Sequence, residues 1–240
     1  MPERFSASQA TKFMNCTASA NLGLAIPNWV PPVDDPDADT AANRGTRMHA
    51  MFADVMTLST KDAWQMAKAI EYVSVLRQKR RFKVLIEAPV VAEWLVTRPT
   101  TQADLVLVTQ DEIHVLDLKT GVIPVSPVEN YQLMYYALCY GPLAPKADGV
   151  YLHIVQPWAD NNEVWFASAQ RLASFMAEAM HTEVLIQNED VTFSPGDHCL
   201  FCAANPHGRG ARGRPNCPAM MELLYPQPPL DIDALLSLED

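Results

Sequence analysis

The stretch VLDLKTG, Val115–Gly121, sets an aspartate and a lysine one residue apart inside an otherwise apolar run. Charged side chains are rarely buried without a partner, so a strand that carries two of them must give them something to bind. Side chains alternate along a strand with a period of two, which puts Asp117 and Lys119 on one face. Upstream, Ala103–Val108 reads as a second strand, joined to Ile113–Lys119 by a turn at Gln110 and Asp111. A turn centred there sets Asp104 opposite Asp117, with Cβ atoms ~4.5–5.5 Å apart. Two carboxylates that close repel unless a cation lies between them, and a hard divalent ion such as Mg²⁺ or Mn²⁺ suits oxygen donors. Phosphodiester cleavage needs a nucleophilic water, charge neutralisation on the phosphoryl group and help for the leaving oxygen, and such an ion supplies Lewis acidity and lowers the pKa of bound water. Lys119 is then placed to orient or deprotonate that water, or to stabilise the developing charge.

The rest of the chain fits one sizeable domain: 240 residues with 49% hydrophobic content support a real core. No stretch approaches the ~18 uninterrupted apolar residues of a membrane span, and MPERFSASQATKF lacks the apolar centre of a secretory signal. A cytoplasmic protein with no membrane partner is expected. The net charge of −10 argues against indiscriminate adhesion to DNA, although a cleft can still be locally basic. RQKRRFK, Arg77–Lys83, carries five cations in seven residues. Its Arg77, Lys79, Arg80, Arg81 and Lys83 are the expected phosphate contacts. HGRGARGR, His207–Arg214, mixes three arginines with glycines and reads as a flexible loop.

Along the chain, Ser6–Cys16 reads as a short helix capped by Ser6 or Ser8, followed by a Pro-rich acidic loop, PNWVPPVDDPDADT. Helices are expected from Arg44 to about Leu58 and from Thr60, as cap, to about Arg81. A further strand candidate runs from Phe82 to Thr97, broken near Pro89. SPVENYQLMYYALCYG, Ser126–Gly141, carries a helix-start pattern, with Ser126 as cap, Pro127 in the first turn, Glu129 three residues after the cap, and Gly141 as the stop. Strands near Val150–Gln156 and Glu163–Ala167 precede a helix of about twenty residues from Ser168. This order predicts an α/β domain around a mixed sheet.

Five cysteines in a cytoplasmic chain argue for thiols, a metal or chemistry rather than disulfides. GDHCLFC sets Cys199 and Cys202 in a C-x-x-C pair, NCP adds Cys217 further on, and Cys16 brings the set to four; Cys139, within YYALCY, reads as a core residue. Four thiolates suit Zn²⁺ or a 4Fe-4S cluster, and spacing does not choose between them.

Taken together the motifs resemble the PD-(D/E)xK nuclease superfamily, in particular the RecB-like branch with the CRISPR-associated and phage exonucleases. The matches occur in the family's order: GTRMH with His49, IEAPV with Glu87, QADLV with Asp104, DLKTG with Asp117, Lys119, Thr120 and Gly121, and a Q-x-x-x-Y helix with Gln132 and Tyr136. Thr101 stands where the family often has glycine. The resemblance implies a restriction-endonuclease-like core with a central mixed sheet flanked by helices. His49, Asp104, Asp117 and the Leu118 carbonyl become metal ligands; Lys119, Asp117, Asp104, Gln132 and Glu87 form the catalytic set, with Gln132 and Tyr136 positioning active-site groups or DNA. It also favours 4Fe-4S over zinc at Cys16, Cys199, Cys202 and Cys217, as an iron-sulfur clasp joining both ends of the chain. The implied organisation is an N-terminal segment 1–43, a nuclease core 44–190, a cysteine clasp 191–218 and an acidic tail 219–240. The expected activity is Mg²⁺- or Mn²⁺-dependent DNA exonuclease action on single strands or strand ends, in phage or bacterial recombination or repair. The tail is a candidate contact for a recombination protein, and self-association is left open. Two rivals stand beside this: a DNA-binding or assembly subunit acting through a partner, and a zinc-stabilised endonuclease of the same fold.

Overall fold

The computed structural model describes residues 4–26, 60–205 and 217–224. His49, the expected helix from Arg44 to Leu58, the His207–Arg214 loop and the acidic tail beyond residue 224 lie outside the described residues. In chain order the strands are β1 (Lys83–Ile86), β2 (Val90–Val91), β3 (Thr100–Thr101), β4 (Leu105–Val108), β5 (Ile113–Leu118), β6 (Gly149–Gln156) and β7 (Asn161–Ser168). The helices are α1 (Ala10–Asn15), α2 (Leu22–Ala25), α3 (Thr60–Lys79), α4 (Tyr131–Tyr140), α5 (Ala169–Gln187) and α6 (Pro218–Leu224). Strands β1-β4-β5-β6-β7 form one mixed sheet, parallel between β5 and β6 and antiparallel elsewhere, while β2 and β3 pair separately.

β5 is buried along its whole length, and its alternation divides the core in two. Ile113 and Val115 join Val106, Leu152 and Ile154 beneath α1, α4 and α5. Leu116 and Leu118 join Leu105, Leu107 and Val155 beneath α3, whose Met66, Ala69 and Leu76 recur at helical spacing along one stripe. The result is a central mixed sheet flanked by helices. The β4–β5 register pairs Leu105 with Leu116 and Val106 with Val115, as a turn at Gln110 and Asp111 requires.

Three local expectations change. Helix α4 starts at Tyr131, with Asn130 as cap through a side chain that accepts from Leu133 N (3.2 Å); Ser126 instead takes the Val128 N–H into a local turn. The N-terminal helix begins as a 3-10 turn, Ala7–Gln9, and neither Ser6 nor Ser8 caps it; their hydroxyls bond to each other. The strand expected to reach Thr97 stops at Val91, and the chain turns from Glu93. Among the described residues no helix is long and apolar enough to cross a membrane.

The α3 face also buries a polar chain that the sequence did not announce. Glu112 Oε1 meets His114 Nε2 at 2.7 Å, His114 Nδ1 meets His153 Nε2 at 2.9 Å, and His153 Nδ1 meets the Tyr72 hydroxyl at 2.9 Å. With Glu112 ionised, all three bonds are satisfied by neutral imidazoles that carry their protons on Nε2, the direction of donation running from Tyr72 to Glu112. Burial, then the charges of His114 and Lys79, pushes His153 down to about 3, and burial lowers His114 despite Glu112. A folded histidine that resists protonation gives stability that is complete above the unfolded pKa of about 6.5 and is lost as pH falls toward its folded value. Urea melts are therefore expected to show stability falling from pH 6.5 to pH 4 with a slope of up to about 1.4 kcal/mol per pH unit for this one group, and a His153→Gln variant should lose much of that slope.

Candidate active site

Where β5 runs out, the odd-numbered face continues from Val115 to Asp117, which is 3% exposed and lies under α4. Lys119 follows on the same side, still tied to the sheet by its N–H to Val155 O (2.9 Å). Its ammonium sits 2.7 Å from Asp117 Oδ2 and donates to Gln132 Oε1 at 2.8 Å. Gln132 lies on the first turn of α4, so the cap at Asn130 sets where its side chain enters the site. Its Nε2 donates to Asp117 Oδ1 (3.2 Å) and to the Tyr136 hydroxyl (3.2 Å), one helical turn on. The amide has one workable orientation, because a lysine can only donate and a carboxylate can only accept. Burial, then the charge of Asp117, raises the pKa of Tyr136, which keeps the hydroxyl protonated.

Asp104 stands beside this group just ahead of β4. Its Oδ2 accepts from Leu118 N at 2.6 Å, so the two aspartates bracket the end of the β4–β5 pair. Glu87 follows β1 at positive φ (42°), and its N–H bonds to Asp104 O (3.1 Å). Thr101 also belongs here, its side chain lying near enough to the Tyr136 hydroxyl to lower its pKa slightly against the larger effect of burial.

The structure therefore brings together Asp104, Asp117, Leu118, Lys119, Gln132 and Tyr136, with Glu87 attached through its backbone. Arg77, Lys79, Arg80, Arg81 and Lys83 are exposed at the other end of the sheet, beside the β4–β5 turn. Lys83 is four residues from Glu87 along the chain, ~13 Å of extended backbone. Arg80 pairs there with Asp111 (3.0 Å) and Glu112 (3.1 Å). Two carboxylates and one ammonium leave the centre one negative charge, held on hard oxygen donors, which fits a divalent cation. Among the described residues no group of three or more His, Cys, Asp or Glu side chains forms a metal site; the third side-chain donor implied by resemblance, His49, is outside them.

Four of the cysteines lie together elsewhere. Cys16, Cys199, Cys202 and Cys217 line one cavity with Ser19, Leu22, Phe193 and His198. Thr17 Oγ1 accepts from Thr192 N (2.7 Å), and Cys217 N bonds to Ala204 O (3.2 Å), so the wall joins both ends of the chain. Burial raises the Cys202 thiol, and the charges of Cys199, Cys16 and Cys217 act in the same direction. The four sulfurs line this cavity, but among the described residues they do not close into a group that could hold a metal ion. Cys139 is buried in α4, its thiol pushed up to about 12 by burial.

Three solved structures resemble the chain at low identity. SSO0001 is 17% identical, with 66% of this chain and 75% of that one covered and a TM-score of 0.36. The alkaline exonuclease LHK-Exo from Laribacter hongkongensis is 8% identical, with 64% and 84% covered and a TM-score of 0.35. An exonuclease candidate from Eubacterium rectale is 10% identical, with 94% and 97% covered and a TM-score of 0.43. The model of DUF2800, described as a protein of unknown function, matches residues 56–223, well over half of the sequence, and the chain belongs to that family.

Proposed function

We propose that this protein is a divalent-metal-dependent deoxyribonuclease that cleaves phosphodiester bonds at the centre formed by Asp104, Asp117, Lys119 and Gln132. The observation that carries the reading is the placement of the Lys119 ammonium between Asp117 and Gln132, with the Asp104 carboxylate fixed on the next backbone amide. Asp104, Asp117 and the Leu118 carbonyl would hold Mg²⁺ or Mn²⁺, with His49 as the remaining donor by resemblance. Such an ion would supply Lewis acidity and lower the pKa of a water. Lys119 then neutralises charge on the phosphoryl group or directs the attacking water. Gln132 holds Lys119 and Asp117 in mutual register, and Tyr136 braces Gln132 from one turn away. Action on single strands or ends, the exonuclease form of the reading, follows from the resemblance. So does a 4Fe-4S cluster on Cys16, Cys199, Cys202 and Cys217, for which four thiols around one cavity are the support; structural Zn²⁺ is the alternative occupant.

Protein purified without oxygen is expected to degrade labelled linear DNA with Mg²⁺ or Mn²⁺, to stop when EDTA is added, and to leave single-stranded circles intact. Cleaved circles would replace the exonuclease reading by an endonuclease one. No metal-dependent cleavage of any DNA would end the nuclease reading. Iron and sulfide analysis against zinc analysis decides the occupant of the thiol cavity.

A further inference from the structure

Strand β5 ends at Leu118, and Lys119 is the last residue to bond β6 through its backbone. The next residue along β6 is Gln156, whose side chain takes over where the ladder stops. It is 0% exposed. Its Oε1 accepts from Val125 N (3.0 Å) and Asn161 Nδ2 (3.1 Å), and its Nε2 donates to Gly121 O (2.8 Å) and Ile123 O (2.8 Å). An amide offers two N–H donors and two acceptor lone pairs, so all four positions are filled and the orientation is fixed by carbonyls on one side and an N–H on the other. Asn161, at the start of β7, also donates to Val125 O (2.9 Å).

The segment held in this way is the first half of the link between Lys119 and Asn130, the cap that delivers Gln132. Gly121, Val122, Ile123 and Pro124 are all exposed, so side-chain packing does little to hold the loop. Steric need does not explain Gly121 either. A Cβ there would come no closer than 3.9 Å to Gln156 Nε2, an ordinary contact.

We propose that Gln156 is a positioning residue that sets Lys119 and Gln132 relative to each other by pinning the loop between them; its consequence for turnover rests on the nuclease reading above. It touches no reacting group. With the pin removed, the loop carbonyls turn to water, the chain after Lys119 gains freedom, and the ammonium loses its fixed place between Asp117 and Gln132.

The test uses the full-length protein as wild type, as Gln156→Met, which keeps the length and loses every side-chain hydrogen bond, and as Asn161→Ala, a milder loss. Three quantities are measured: exchange of the Val125 amide, the rate at which Lys119 is acetylated relative to the other lysines, and kcat and KM on linear DNA with Mg²⁺. Gln156→Met is expected to speed Val125 exchange by at least ~10-fold and Lys119 acetylation several-fold. It is also expected to lower kcat by ~10-fold or more with KM nearly unchanged, since misplacement by an ångström is costly to the chemical step. Asn161→Ala should move all three in the same direction by less. Faster Val125 exchange with unchanged Lys119 acetylation would overturn the proposal, because the pin would then serve the loop alone. A wild type that cleaves no DNA ends the nuclease reading, while the acetylation rates still decide the role of Gln156. If Gln156→Met does not fold, Asn161→Ala decides it by the same measurements.

Discussion

Replacing Asp117 by asparagine is expected to lower the rate of DNA degradation by ~10³-fold, with the fold intact. Both oxygens of this carboxylate are engaged, Oδ2 by the Lys119 ammonium at 2.7 Å and Oδ1 by Gln132 Nε2 at 3.2 Å. Asparagine keeps the shape but offers one oxygen. Its NH₂ must then face either the ammonium or the Gln132 amide, donor against donor. The change also removes one of the two negative charges that suit the site to a cation, so the expected loss combines weaker metal binding with a displaced lysine. Initial rates on labelled linear DNA over a range of Mg²⁺ concentrations check it, alongside a thermal melt that should shift by only a few degrees. A rate equal to that of the wild type would remove this carboxylate from the chemistry.

The second large effect concerns stability. Glu183 on α5 is 1% exposed, and its carboxylate accepts from Val96 N (2.9 Å), Thr97 N (2.9 Å) and the Thr97 hydroxyl. Glu183→Ala leaves two backbone N–H groups without their acceptor and opens a gap, a loss of about 3 kcal/mol. Glu183→Gln retains one acceptor oxygen and should lose about half as much. Urea midpoints at constant m-value measure both. The turn held by Glu183 runs between β2 and β3, and β3 carries Thr101 to Tyr136, so Glu183→Ala should also slow cleavage, by less than the Asp117 change does. Equal midpoints for wild type and Glu183→Ala would show that other contacts hold this turn.

What could be read from the sequence follows from how local each signal is. The β4–β5 pairing depends on a turn and on strand alternation, both contained in sixteen residues, and it placed Asp104 beside Asp117 in the register observed. Ser168 at the start of α5 behaves as its sequence suggests, accepting from Arg171 N. The pattern at Ser126–Glu129 misleads, because Ser126 takes the Val128 N–H into a local turn and Asn130 caps the helix instead, while the chain ahead of it is pinned at Val125 N by Gln156, thirty-one residues further on. Glu129, read as part of a capping box, sits instead at φ 54° and pairs with Arg171. The strand expected through Thr97 fails for a similar reason, since Glu183 takes the Val96 and Thr97 amides into a turn from a distant helix. Arg80 meets acids beyond the next strand, and the Tyr72–His153–His114–Glu112 chain needs three elements to meet. Long-range hydrogen bonds of this kind leave no periodic trace, so the residues of the proposed centre stood out as a set while the groups that brace them did not.

The docking of the first helix has a practical consequence for anyone expressing this protein. Phe5, Ala7, Ala10 and Phe13 are buried against α4, and Tyr135 donates to Phe5 O at 2.7 Å. A recombinant version cut back to the span that defines the family, residues 56–223, would strip that wall away and wet the flank of the very helix that delivers Gln132. The packed core is wider than the family match, and a version bounded by the match alone is expected to melt at a lower urea concentration than the full chain.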